Sequence, residues 1–273
     1  MIGVRLGGSV GTRDGVALGI SGDPVGPDNG MSSVTRDALS GIFCPASTGE
    51  WTTTLTTAGQ SGNPLSTWLC QEASGNLADS LAANTLTITG ASWAYRQAVT
   101  GWSRLAVTLP DAASNHNAQN TTTVPDVSTT SVLLMLYVSF PAVAPAAGRR
   151  IARLDSTTGA IAAITSSPVV QCLTQGTGGT TASGISSPLG AVRPVIIAVN
   201  RTAGTAKVYT NQDKVTGTQG TYAGLAVGFG SSSSLAMNMG VLYGALFSGA
   251  NAERTDAQVK SLLTTLGWSP AWT

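Results

Sequence analysis

The longest uninterrupted apolar run in this chain is Val132-Leu-Leu-Met-Leu-Tyr-Val138, and shorter runs alternate with glycine-, serine-, threonine- and asparagine-rich turns. A helix that crosses a bilayer needs about 20 apolar residues in succession, so no membrane insertion is expected. Long amphipathic helices are equally scarce, and the chain holds only three lysines and three glutamates. Apolar side chains must therefore be buried through many short segments. Threonine, valine and glycine suit strands and their turns, which points to an all-β sandwich or barrel.

Length and charge narrow the reading further. At 273 residues the chain makes one large domain or two small ones. Hydrophobic residues reach 42% and can fill a core, while charged residues are only 10% and the net charge is +1. Nucleic-acid binding needs clustered Lys and Arg along a phosphate track, so no nucleic-acid partner is expected. Met1–Gly8 lacks the apolar stretch of a secretory signal. Cys44, Cys70 and Cys172 are odd in number and widely spaced, which fits buried thiols better than a disulfide framework or a Cys-x-x-Cys metal site.

Several strands can be read directly. Thr85–Thr89 alternates, with Leu86 and Ile88 on one side, and Leu105, Val107 and Leu109 are in phase over Arg104–Leu109. Ser131–Phe140 is apolar on both faces, as expected of a strand in the middle of a sandwich. Ile151–Leu154, Ala160–Thr165 and Val169–Leu173 are shorter strand candidates. Pro194–Asn200 and Thr205–Thr210 flank Arg-Thr-Ala-Gly204 and predict an antiparallel hairpin. Tyr222–Phe229 and Gly240–Phe247 add two strands. One helix is predicted, at the end: Thr255 caps it, Gln258 completes a capping box, and Gly267 stops it. Val259, Leu262, Leu263 and Leu266 form its buried stripe. Residues 1–48, rich in Gly, Pro and Asp, are expected to be an extended N-terminal arm held by the body or by a neighbouring chain, with Thr35–Phe43 as a possible ordered turn and residues 49–273 as the folded domain.

Three stretches carry a resemblance. Trp68-Leu-Cys-Gln-Glu-Ala-Ser-Gly-Asn-Leu-Ala-Asp79 runs on to Leu86–Gly90, the hairpin Val195–Tyr209 follows, and Leu225–Gly230 with Gly240–Phe247 precedes the capped helix. Their order resembles the concanavalin A-like lectin/glucanase fold of the LamG-like type. The resemblance implies an antiparallel jelly roll of two sheets with six or seven strands each, and functions that range over sugar binding, glucan hydrolysis, adhesion and viral surface display.

The residues themselves do not supply a recognisable catalytic pattern. Paired carboxylates for glycoside hydrolysis stand about 5 Å apart in retaining enzymes, whereas Glu50, Glu72 and Glu253 are isolated in sequence. His116 is the single histidine, expected in a solvated loop, and no Gly-x-Ser-x-Gly elbow accompanies it. The sequence therefore predicts no enzyme, no metal site and no cofactor. Asp23, Asp28, Asn29 and Asp79 are oxygen donors without the spacing of a calcium loop, and Asp79 is expected to cap its own turn. Trp51, Trp93, Tyr95 and Trp102, beside Arg96 and Arg104, are the candidate ligand-binding residues, with core or interface packing as the competing reading. Trp268 and Trp272 are expected to pin the C-terminal tail.

Two functions fit these features. The first is a structural component of a phage virion (capsid decoration, head fibre or tail-associated protein) on the virion surface, with other virion proteins or its own oligomer as partners. Low charge suits closely apposed protein surfaces, where desolvating charge is costly. The alternative is a carbohydrate-binding or adhesion module of LamG type that contacts surface glycans.

Overall fold

The computed structural model describes residues 36–81, 84–110, 116–154, 160–165, 169–174, 182–185, 188–222, 226–231 and 238–273. Two antiparallel sheets stack face to face, and a helical layer covers the outer face of one of them.

The first sheet is built around the sequence's longest apolar run, β6 (Val132–Ser139). On one side of it lie β11 (Val192–Asn200), β12 (Thr205–Tyr209) and β13 (Lys214–Thr218). On the other lies β15 (Gly240–Ser248), followed by β4 (Ala106–Thr108) and the edge strand β3 (Ala94–Gln97). Beside β4, the far half of β15 pairs with β1 (Ser66–Trp68), which makes eight strands. The second sheet has seven, in the order β10 (Ala182–Ile185), β9 (Val170–Thr174), β8 (Ala160–Ile164), β7 (Arg149–Arg153), β14 (Val227–Ser231), β5 (His116–Asn120) and β2 (Thr87–Thr89). All-β sandwich architecture is thus the fold, with slightly more strands than the resemblance implied.

Alternation along β6 explains why it is apolar on both faces. Val132, Leu134, Leu136 and Val138 point into the core between the sheets. Leu133, Met135 and Tyr137 point the other way, into a second core under the helices. Burying such side chains stabilises the fold by about 1.5–3 kcal/mol each. The hairpin predicted at residues 194–210 is β11–β12, and Asn200 Oδ1 accepts from the Ala203 amide at 2.8 Å to tighten its turn. The C-terminal helix α2 (Asp256–Thr265) has both halves of its capping box, and Val259, Leu262, Leu263 and Leu266 are fully buried. Gly267 closes it at φ +96, where an L side chain would be strained.

Three expectations need correction. A second helix, α1 (Thr48–Thr57), precedes the sandwich. Its threonines are weak helix formers, but Ser47 and Glu50 form a capping box and Trp51, Thr54 and Leu55 are buried against the first sheet. The folded body also begins well before residue 49. Ile42, Phe43 and Cys44 are buried, Tyr137 Oη donates to Phe43 O at 3.0 Å, and Tyr243 Oη donates to Pro45 O at 2.6 Å. Residues 1–35 of the expected arm lie outside the described residues. His116, expected in a loop, begins β5.

Asp37 fastens this N-terminal segment to the body. Its carboxylate accepts from the amides of Leu39, Ser40, Ser103 and Arg104 and from the hydroxyls of Ser40 and Ser103. Burial alone would raise its pKa, but the bonds from Ser40, Ser103 and Arg104 outweigh it and hold the group at about 2. A depressed carboxylate stabilises the folded state above its unfolded pKa and loses that contribution as pH falls through the folded one. Asp37→Ala is therefore expected to cost about 1–3 kcal/mol at neutral pH, since several partly buried donors lose their acceptor. Urea unfolding at pH 7 and again near pH 2 checks this: the difference between variant and parent should be large in the first and shrink in the second.

Candidate functional site

The four sequence-predicted residues do not converge. Trp51 is completely buried; its Nε1 donates to Thr67 Oγ1 at 2.9 Å and its ring meets Phe247 edge-on. Trp102 is half-buried under the helical layer, stacked at a tilt on Trp268 at 5.8 Å and near Tyr137 at 6.2 Å. Both belong to the second core, so Trp51 is corrected from ligand candidate to core residue. The tail tryptophans behave as expected: Trp272 Nε1 donates to Thr210 O at 2.7 Å and its ring packs on Tyr209.

Trp93 and Tyr95 are different. They pack against the inter-sheet core on the opposite face of the first sheet, each half-buried. The segment that carries them leaves β2, at the edge of the second sheet, and enters β3, at the edge of the first. It crosses the open side of the sandwich, and the two rings line its rim. Two residues apart in extended chain, they face the same way.

Local contacts hold these rings in place. Trp93 rests on the core through Phe229, with centroids 6.2 Å apart, and its Nε1 donates to Thr89 O at 3.0 Å. Tyr95 Oη donates to Gly75 O at 2.7 Å, and burial raises the phenol's pKa despite that bond. Next to it Arg96 Nε donates to Gln71 O at 3.3 Å, and His116 Nε2 contacts Ala91 O at 3.0 Å. Backbone strain gathers at the same corner. Among the described residues, the non-glycine residues with positive φ are Cys70 at 55, Ser92 at 64 and Arg96 at 53. Ser92 and Arg96 bracket the two aromatics, and Cys70 adjoins the Gln71 that holds Arg96. Such conformations cost about 1–2 kcal/mol per residue, and they cluster where a surface has to be held in a fixed shape.

Sequence reasoning found the aromatic pair but missed its frame. Gln71 and Gly75 carry no local signal of a site, because they matter through contacts from 25 and 20 residues away, and nothing in the sequence marks Ser92 for a positive φ. It also missed a furrow between the β11–β12 hairpin and the start of α2, of about 450 Å³. Asp256 on its wall accepts from Lys207, which also lines it, at 2.6 Å and from Lys214, which does not, at 2.8 Å, and Tyr209 Oη donates to it at 2.9 Å. Burial opposes ionisation of Asp256, but the lysine and tyrosine bonds prevail and hold it at about 2. Glu253 accepts from Ser131 Oγ and Thr202 Oγ1, which lowers its pKa.

The remaining candidates are quickly placed. Cys44, Cys70 and Cys172 are buried and unbridged, and burial pushes the Cys44 and Cys172 thiols up to about 12. Asp79 Oδ1 accepts from the amides of Thr67 and Leu81 and so closes its own loop. Asp23, Asp28 and Asn29 lie outside the described residues. Among the described residues no three His, Cys, Asp or Glu side chains gather as a metal-ion site, and no helix is long and apolar enough to cross a membrane.

No family model matches the chain, and neither does any curated protein. Solved structures do match in shape. The sialidase of Trypanosoma rangeli in complex with 2,3-difluorosialic acid aligns with TM-score 0.55 and 11% identity, over 83% of this chain and 36% of that one. The same sialidase in complex with sialic acid aligns with TM-score 0.54 and 9% identity, over 81% and 38%. A structure described as HCR/D-Sa-GBL1/C aligns with TM-score 0.50 and 12% identity, over 75% and 52%. This chain therefore spans well under two thirds of each, and at such identity the likeness is one of fold. It does correct one expectation: the sequence reading excluded an enzyme, yet the structures of this shape include sialidases, so that exclusion does not stand.

The strain at the rim can be tested. Ser92→Gly should raise stability by about 0.5–1 kcal/mol, because glycine adopts positive φ at no steric cost. Chemical denaturation of the two proteins side by side gives the difference; a glycine variant less stable than the parent would contradict the assigned strain.

Proposed function

We propose that this chain is a glycan-contacting, lectin-like jelly roll of LamG type, and that the rim carrying Trp93 and Tyr95 is its contact surface. The observation that carries the reading is the pair of half-buried aromatic rings, pinned by backbone carbonyls and flanked by backbone strain. Sugar rings present axial C–H faces that pack on aromatic rings, and their hydroxyls need polar neighbours; exposed Arg96 and Gln97 supply these. Fold likeness to a sialidase solved with sialic acid supports a saccharide ligand without identifying one.

The setting we propose is the surface of an assembled particle, as a phage virion component. The low proportion of charged residues supports this, since broad protein–protein surfaces avoid desolvating charge. Labelling purified source particles with an antibody to this chain should decorate their exterior; label that stays with the unassembled lysate would count against virion display.

A glycan array tests the contact surface. Trp93→Ala and Tyr95→Ala should each weaken the bound glycan by about ten-fold or more, the loss of a stacking contact worth at least 1.4 kcal/mol. Trp102→Ala, on the other face of the sheet, should bind like the parent. Equal losses in all three, or a silent array, would overturn the assignment.

A further inference from the structure

The furrow beside α2 has a charge arrangement that the rim does not share. Its first lobe, about 450 Å³, runs between Asn200, Thr205 and Lys207 on the hairpin and Thr255–Ala257 on the helix. A second lobe, about 340 Å³, continues past Gln60 and Asn251, and Glu253 and Arg254 line both. The two lobes thus adjoin at one Glu–Arg pair in sequence, and the two together are called the trough.

Two cations, Lys207 and Arg254, and two carboxylates, Glu253 and Asp256, line it, and among the described residues just one of these cations has an acid partner. Lys207 and Lys214 divide one partner, Asp256, between them. Glu253 is turned toward Ser131 and Thr202. Arg254 is 9% exposed and is held by Gln60 Oε1, Gly62 O and the face of Phe247, neutral groups all; among the described residues it forms no ion pair. Burial without an acid partner brings its pKa down to about 10, so it remains charged near neutrality. A guanidinium buried without an acid partner is an uncompensated charge, which an anion would balance.

We infer that this trough is a second, charge-based binding site, and that its ligand is a saccharide of two or more units bearing a carboxylate. Asp256 and Glu253 are both ionised near neutrality, so they accept from hydroxyls, while the Lys207 ammonium and the Arg254 guanidinium attract the ligand's acid. Phosphorylated ligands fit less well, because two fixed carboxylates repel a dianion. A nucleobase finds no platform, since Tyr209 on the trough wall is 1% exposed. The volumes of the two lobes, about 450 and 340 Å³, are what call for more than one sugar. The inference stands apart from the rim, which is built from other residues on another side of the sheet.

Isothermal titration of the full chain with tri-galacturonic acid, sialyllactose and neutral maltotriose tests it. One acidic saccharide should bind about ten-fold or more tighter than maltotriose, and which one does so separates uronic from sialic acids. Lys207→Gln should abolish that preference. Because Lys207 also anchors α2, a second variant avoids any loss of contacts: Ala257→Glu sets a fixed anion on an exposed position of the trough wall, and should cost the acidic ligand about ten-fold or more at unchanged melting temperature. Trp93→Ala should leave this binding intact. Equal affinity for maltotriose, no binding of either acid, an Ala257→Glu variant that binds normally, or loss in Trp93→Ala would each overturn the inference.

Discussion

Burial of β6 on both of its faces is the constraint from which the rest of the molecule follows. A strand that is apolar on one side needs one partner layer; a strand apolar on both needs two. Here the second sheet supplies one cover and the helices with the N-terminal segment supply the other. The helical layer is therefore part of the core, and so are residues 42–44. Tyr137 and Tyr243, whose rings lie 5.0 Å apart, reach from the sheet to the carbonyls of Phe43 and Pro45 and satisfy hydroxyls that would be costly to bury alone.

This layering also decides where chemistry can be offered to solvent. The covered face of the first sheet is closed over most of its area by α1, α2 and the tail tryptophans. That face is left open at the trough, beside the start of α2, whereas the rim lies on the inter-sheet side, where the chain crosses from β2 to β3. The rim is aromatic and preformed, the trough charged and hydroxyl-accepting. A jelly roll displayed on a particle could use the two together, since a ligand chain engaged at two sites gains effective concentration without any new contact.

Much of the architecture was legible because its signals are local. The two-faced strand, the Asn200–Gly204 turn and the Thr255–Gln258 capping box each lie within a few residues of chain. The helix over residues 48–57 carries the same capping box at Ser47 and Glu50, but its threonines masked it, and its stability comes from burying Trp51 and Leu55 under distant strands. Asp37 was illegible for a related reason, since its partners at Ser103 and Arg104 lie 66 and 67 residues away. The site was half legible. Trp93 and Tyr95 read as a pair, yet Trp51 and Trp102 read the same way, because a tryptophan's sequence neighbours do not reveal which side of a sheet it faces. The trough was invisible: Lys207 and Asp256 are 49 residues apart and become neighbours only once the hairpin and α2 are docked.

The central claim, that the sandwich presents its glycan-contacting surface at the rim, has a direct spectroscopic test. With the chain labelled with nitrogen-15, the indole N–H signals of the six tryptophans are followed as a glycan that the protein binds is added. The Trp93 signal should move with saturation while those of the buried Trp51 and Trp68 hold still. A Trp93 signal that stays fixed at saturating glycan would contradict the account.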